Sequence, residues 1–247
     1  MNILACIVNF GDSQISYLNR LIDELKSFKN HKVSIVVNTN IPTLNPKIDK
    51  ENIIYLDNYQ LLPMTCRKTI LENIDRYDLY LYTENDHLFR EHHFDKFIEY
   101  NELLPDDRIS GLIQYEEDNS GNKFYPAYHK NYGWDLSTVE RHGSHIFAHF
   151  TNLHQASFII TNQQLNRISS NHNFSESFGP SKYSIKCKTN TDIYQFCGMK
   201  KVICIDEFNQ NIVHHMPNFY INGSNRRLKL GKGSGEMDGE IKKCLSQ

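Results

Sequence analysis

The chain has 247 residues, 39% hydrophobic and 23% charged, with a formal net charge of −2. That length is ample for a substantial core. The near-neutral balance excludes a global field drawing the chain onto nucleic acid or an anionic membrane, so any phosphate recognition has to be local.

The first ninety residues alternate strand and helix patterns. ILACIV (Ile3–Val8) is a continuous apolar run, as a strand covered on both faces requires. Asp12 and Ser13 are N-cap residue types, and Ile15, Leu18, Leu21, Ile22, Leu25 and Phe28 follow at helical spacing. VSIVV (Val33–Val37) and IIYL (Ile53–Leu56) predict the second and third strands. A second helix is expected from about Thr65 to Arg76, and LYLY predicts the next strand.

After Asp86 the pattern changes. FDKFIEYNELL predicts an amphipathic helix stopped by Pro105, ISGLIQY a strand, and EEDNSGNKFY a hairpin turn. SHIFAHF and ASFII predict further strands, and Thr161 with Gln164 forms a capping box for the helix NQQLNRI. TDIYQFCG is expected as a short helix closed by Gly198, with KVICI and NIVHH as the last strands. The tail from Asn222 is rich in Gly, Arg and Lys and reads as a mobile loop.

Such alternation argues for parallel strands with crossover helices. The expected architecture is one α/β domain over residues 1–221, with halves 1–90 and 91–221, and a basic tail over 222–247. The six cysteines show no C-x-x-C pair, and several sit in apolar runs as small core hydrophobes. No cleavable signal is visible, and no apolar run approaches the roughly 20 residues of a membrane span. A cytoplasmic setting is expected, with peripheral membrane contact left open.

Ligands of an open parallel sheet collect beyond the carboxyl ends of its strands. Those ends carry Asn9, then Asn38, Thr39 and Asn40, then Asp57, and finally Glu84-x-Asp86. The order of ILACIVNF, VSIVVNTN and MTCRKTILENIDRYDLYLYTENDHLF resembles the opening of a GT-A fold, family 2-like, nucleotide-sugar-dependent glycosyltransferase. HQASFIITNQQLNRI and NTDIYQFCGMKKVICIDEFNQNIVHH resemble its later segments, so the likeness spans most of Met1 to Tyr220. It implies a Rossmann-like, mostly parallel central sheet flanked by helices. It also implies a nucleotide-diphosphate sugar donor, a divalent metal (Mn²⁺ or Mg²⁺), and a glycan, lipid-linked or protein-linked acceptor, with no nucleic-acid partner. Two departures stand out. Glu84 replaces the first Asp of the family's D-x-D, and Asn38 or Asn40 replaces a frequent aspartate after the second strand.

Residues i and i+2 of an extended chain project to the same side, so Glu84 and Asp86 are expected to face one site. Mg²⁺ or Mn²⁺ takes one or two carboxylates together with phosphate oxygens and water. His214 and His215 point to opposite faces of a strand, so only one can join Asp86. The family's terminal histidine favours His214, with His215 the alternative. Asp192, read at a helix start, is the expected proton acceptor for an inverting transfer, with Glu116 next and Glu117, Asp118 and Glu176 as rivals. An aspartate there is also an ordinary helix-dipole partner.

Arg67 and Lys68 near a helix start, and Arg226, Arg227, Lys229 and Lys232 in the tail, are expected to meet the donor diphosphate. Tyr125, Tyr128, Tyr132 and Trp134 read either as an acceptor platform or as core. Two other functions fit the same outline. A sugar-nucleotide nucleotidyltransferase lacks its Gly-rich loop here, where NFGDSQ stands instead. A non-catalytic glycan- or nucleotide-binding protein would not need the E-x-D pair.

Overall fold

Seven of the eight residues of β1 (Asn2–Asn9) are buried, so the apolar run forms the middle of a sheet. Residues 1–126, 133–176, 179–221 and 232–247 are described by the computed structural model. α1 (Ile15–Lys26) turns Leu18, Leu21, Ile22 and Leu25 into the core at the expected period. Its N-cap is Gln14, not Asp12 or Ser13. β2 (Lys32–Thr39) follows, then β3 (Lys50–Ile53), an edge strand that lies ahead of the expected Ile53–Leu56 run. α2 (Leu62–Leu71) also starts early, because Pro63 suits a first turn where no N–H is needed. β4 (Leu79–Glu84) and β2 both pair in parallel with β1, and β3 pairs in parallel with β2.

The chain then changes sheets. Asn85 and Asp86 form a turn, and β5 (His87–Leu88) already belongs to another sheet. α3 (Glu91–Leu103) leads to β6 (Arg108–Ser110), β7 (Ile113–Glu117) and β8 (Lys123–Tyr125). The single strand expected over ISGLIQY is therefore two strands. The break falls at Gly111, where an added Cβ would lie 2.4 Å from Lys201 Cγ. A glycine lets the backbone pass that close. β7 and β8 form the expected hairpin, with the Asp118 carboxylate accepting from the Ser120 and Asn122 N–H groups.

β9 (Trp134–His142) and β10 (His145–Phe150) pair antiparallel, and β11 (Ser157–Thr161) returns antiparallel to β4. The first sheet thus has the order β11-β4-β1-β2-β3. Thr161 and Gln164 close the capping box of α4 (Asn162–Ser169) as expected. After the short α5 (His172–Ser175), α6 (Ile185–Gln195) begins well before the expected TDIYQF start, and Gly198 follows it at φ +78°. β12 (Lys200–Cys204) and β13 (Ile212–His215) complete the strands of this region. β12 joins a sheet ordered β6-β12-β10-β9, and β13 joins one ordered β14-β8-β7-β13-β5, in which β14 is Lys232–Gly233. The result is a mixed α/β single domain with helices flanking its sheets.

The expected tail loop is corrected in its second part. α7 (Ser234–Leu245) is a helix, and it buries Met237, Ile241 and Cys244 in an apolar cluster with Ile113, Phe150, Ile203 and Phe208. The larger cluster surrounds the first sheet and α1. The cysteines are all buried and free of disulfides. Among the described residues no helix is long and apolar enough to cross a membrane. Met237 is fully buried, so Met237→Ala should lower stability by about 2–5 kcal/mol. A urea titration checks this, and an unchanged midpoint would remove α7 from the folded core.

Candidate active site

The site is built where the chain passes between sheets. The Asn85 amide donates to Asn9 Oδ1 at 2.6 Å, while Asn9 Nδ2 reaches Gly11 O and Thr39 Oγ1. Asn40 Oδ1 accepts from the Gly11 N–H at 2.7 Å. Asn38 donates to Thr65 and Thr69 and accepts from Asn52. Asn9, Asn38 and Asn40, expected to meet the nucleotide, therefore tie strand ends to loops and to α2. Asp57 is exposed. None of the four lines either of the cavities described below.

Asp86 sits between two imidazoles. Its Oδ1 lies 2.9 Å from His87 Nδ1, and its Oδ2 lies 3.4 Å from His215 Nε2 and 3.1 Å from the Gln14 amide nitrogen. Burial alone would raise the Asp86 carboxyl, but the two histidines outweigh it and hold it well below the usual carboxylate range. Burial likewise opposes charge on His215, yet its hydrogen bonds to Asp86 and Glu116 push it up to about 9. His87 is the register partner of His215 across the β5–β13 pair, which puts both rings on one face, 5.2 Å apart.

Of the two histidines, His215 and not the expected His214 faces Asp86: alternation along β13 turns His214 to the opposite face, where it stacks on Tyr115. His87 stands beside Asp86 and His215, and Glu84 lies outside this group. The donor atoms of Asp86, His87 and His215 lie within 4.8 Å of one another. Asp86 Oδ1 and His87 Nδ1 are both buried and lie 2.9 Å apart. A buried carboxylate and two imidazoles this close are a donor set that fits a divalent cation once the rings give up their protons.

Outer groups fix both rings. The Gln114 amide contacts His87 Nε2, and His215 Nδ1 donates to Glu116 Oε1 at 2.6 Å. Glu116 is fully buried, and its other oxygen accepts the Tyr220 and Ile221 N–H groups at 3.0 and 2.9 Å. A carboxylate behind a histidine sets the ring's tautomer and raises its basicity toward a metal. Glu116 thus supports His215 instead of facing a substrate.

Two cavities share a wall here, and the first of them opens on this cluster. One, of about 470 Å³, is lined by Glu84, Asp86, His87, Ser184, Lys186 and His215 among others. The second, of about 320 Å³, is lined by Phe10, Tyr59, Leu62, Pro63, Glu84 and Lys186 among others. Gln14, Glu84 and Lys186 belong to both walls. Burial raises the Glu84 carboxyl, with Lys186 opposing that shift across the cavity. Sequence reasoning missed Lys186, Gln14 and His87. The helical start at Ile185 would have signalled Lys186, had Ser184 been read as the N-cap.

Asp192 and Arg67 lie elsewhere. Asp192 is mid-helix in α6 and fully buried, with its Oδ2 3.2 Å from the Arg67 guanidinium. Arg67 also donates to the carbonyls of Phe174, Lys188 and Asn173 and covers the Phe174 ring at 4.7 Å. The pair cross-braces α2, α5 and α6, and neither residue lines the two cavities. Both residues, expected in proton transfer and diphosphate binding, are thus buried away from these cavities. Tyr125 and Trp134 are core residues packed on Phe208. Tyr128, Tyr132, Arg226, Arg227 and Lys229 lie outside the described residues, as does the Lys232 side chain.

No family profile matches the chain, and neither does any curated protein. Among solved structures, S. aureus TarS 1–349 aligns over 90% of this chain and 63% of that one, at 12% identity and a TM-score of 0.48. The mannose-1-phosphate geranyltransferase from Thermus thermophilus aligns over 87% of this chain and 74% of that one, at 10% identity and a TM-score of 0.43. The chain spans less than two thirds of the TarS structure. These likenesses are distant, and the reading of the site rests on its own residues.

Removing one partner of a buried ion pair strands the other charge, at about 3–5 kcal/mol. Asp192→Ala should therefore lower the urea midpoint strongly while the folded fraction keeps its ligand binding. A variant of normal stability that has lost activity would return Asp192 to the chemistry.

Proposed function

We propose that the chain is a metal-dependent glycosyltransferase using a nucleotide-diphosphate sugar donor and a hydroxyl of a glycan, lipid-linked or protein-linked acceptor. The observation that carries this reading is the buried group of Asp86, His87 and His215, whose donor atoms lie within 4.8 Å of one another beyond the end of β4 and on the wall of a cleft. Two imidazoles with one carboxylate suit a divalent transition metal better than Mg²⁺. Bound there, the ion would offset the negative charge that builds on a departing diphosphate.

The remaining groups divide the cleft. Phe10 and Tyr59, with ring centroids 5.2 Å apart, offer an aromatic wall for a base in the smaller cavity. Lys186, in the first turn of α6 and common to both cavities, supplies positive charge for phosphate oxygens. Arg226 and Lys229 remain proposed as further phosphate contacts. The larger cavity is left for the sugar and the acceptor hydroxyl. With Asp192 and Glu116 engaged, Glu84 is the remaining carboxylate on the walls beside Asp86. In an inverting displacement the acceptor oxygen bonds to the anomeric carbon, the diphosphate leaves with its bonding pair, and Glu84 takes the hydroxyl proton.

A thermal-shift screen of nucleotide sugars with Mn²⁺ should find one selective donor. A bound ligand stabilises the native state by about 2.7 kcal/mol at a hundredfold excess over its Kd. Asp86→Asn should remove the metal-dependent part of that shift. Glu84→Gln should retain donor binding but lower turnover by roughly two to four orders of magnitude. Donor binding that ignores divalent ions, or full activity in Asp86→Asn, would overturn the assignment.

A further inference from the structure

The two histidines that end β13 serve opposite faces. His215 turns to Asp86, whereas His214 stacks on Tyr115 with centroids 5.0 Å apart and 17° between the planes. On that face a cavity of about 190 Å³ is lined by Arg90, His92, Tyr115, Lys123, Asn209 and His214, with apolar groups behind them. Lys123 Nζ sits 5.0 Å above the Tyr115 ring. The start of α3 is pinned at the cavity edge: His93 Nδ1 accepts the Arg90 N–H at 3.0 Å, and Nε2 meets Ile212 O at 3.0 Å. His214 Nε2 is buried and has no hydrogen-bond partner among the described residues, and Asn218 acts on the same ring.

We infer that this cavity binds a small oxyanion, a phosphate or sulfate group, at a site separate from the metal cluster. The wall supports an anion, for its charged groups are cationic and no carboxylate among the described residues lines it. Arg90 and Lys123 line the cavity and Arg20 of α1 acts on both Tyr115 and His214, opposed by Glu117, the cross-strand partner of Lys123, and by Asp95 and Glu24 at His92. The donors suit oxygen, since a guanidinium presents a planar fork and an ammonium a point charge. The His214 ring adds a further polar group to the wall. Size limits the ligand: pockets for drug-sized molecules run about 300–1,000 Å³, so this one takes a single anionic group. The metal cluster lies on the other face of β13, so occupancy here does not require the ion.

The group has two sources, a free inorganic anion or the phosphorylated end of a sugar. Calorimetric titration of the full chain, without added metal, with inorganic phosphate, inorganic sulfate and glucose 6-phosphate separates them. Sodium chloride at matched ionic strength is the blank. Saturable binding that shifts the His214 ring resonances is expected. Arg90 is exposed, so Arg90→Gln leaves the fold in place. That change and His214→Gln should each weaken binding about tenfold or more, while Asp86→Asn should leave it unaltered. Tighter binding of glucose 6-phosphate than of phosphate supports a sugar-linked group, and the reverse order supports a free anion. No saturable binding of any anion, or equal binding by both variants, would overturn the inference. So would loss of binding in Asp86→Asn, which would move the anion to the metal cluster.

Discussion

The whole site depends on two residues, Asn85 and Asp86, carrying the chain from one sheet into another. Because β5 begins at once, His87 has no freedom to choose its face. Its pairing with β13 sets it beside His215, and the Asn85–Asn9 bond anchors the turn to the end of β1. One residue more in that turn would reverse the facing of His87, since strand side chains alternate with a period of two. The geometry of the three donor groups is thus a property of the joint and not of any one strand.

A second joint completes the arrangement. At Gly111 the chain leaves the β6 sheet and enters the β7 sheet, in which β7 lies parallel to β13. Gln114 and Glu116, two apart on β7, then come behind His87 and His215, while the intervening Tyr115 meets His214 on the other face. Alternation on two neighbouring strands separates a metal-type cluster from a cationic cavity across a single layer of backbone. Polar contacts hold the first face together: Asp86 lies between His87 and His215, and Glu116 stands behind His215.

What the sequence showed, and what it hid, follows from the range of each interaction. Local patterns were legible: the apolar runs of β1 and β2, the period of α1, the Thr161–Gln164 capping box and the Asp118 turn. Asp86 was legible too, because a carboxylate pair closing an apolar strand is a local signal. The partner of Asp86 was not. Choosing His215 over His214 needs the register of β13 against β5, a pairing across more than a hundred residues that no window reveals. Asp192 misled because a short motif suggested a helix start, whereas α6 begins at Ile185 and buries that carboxylate against Arg67. The α7 helix was hidden by the glycines and charges around it, although Met237, Ile241 and Cys244 carry helical spacing.

Glu116 spends one oxygen on His215 and the other on the backbone of Tyr220 and Ile221. Those two peptide groups withdraw electron density from the same carboxylate that polarises the imidazole. Any displacement of residues 220–221 that lengthens these bonds would concentrate negative charge on the oxygen facing His215, making Nε2 a stronger electron donor. The backbone leaving β13 therefore acts as a tuning arm for the Lewis basicity of a side chain several residues behind it.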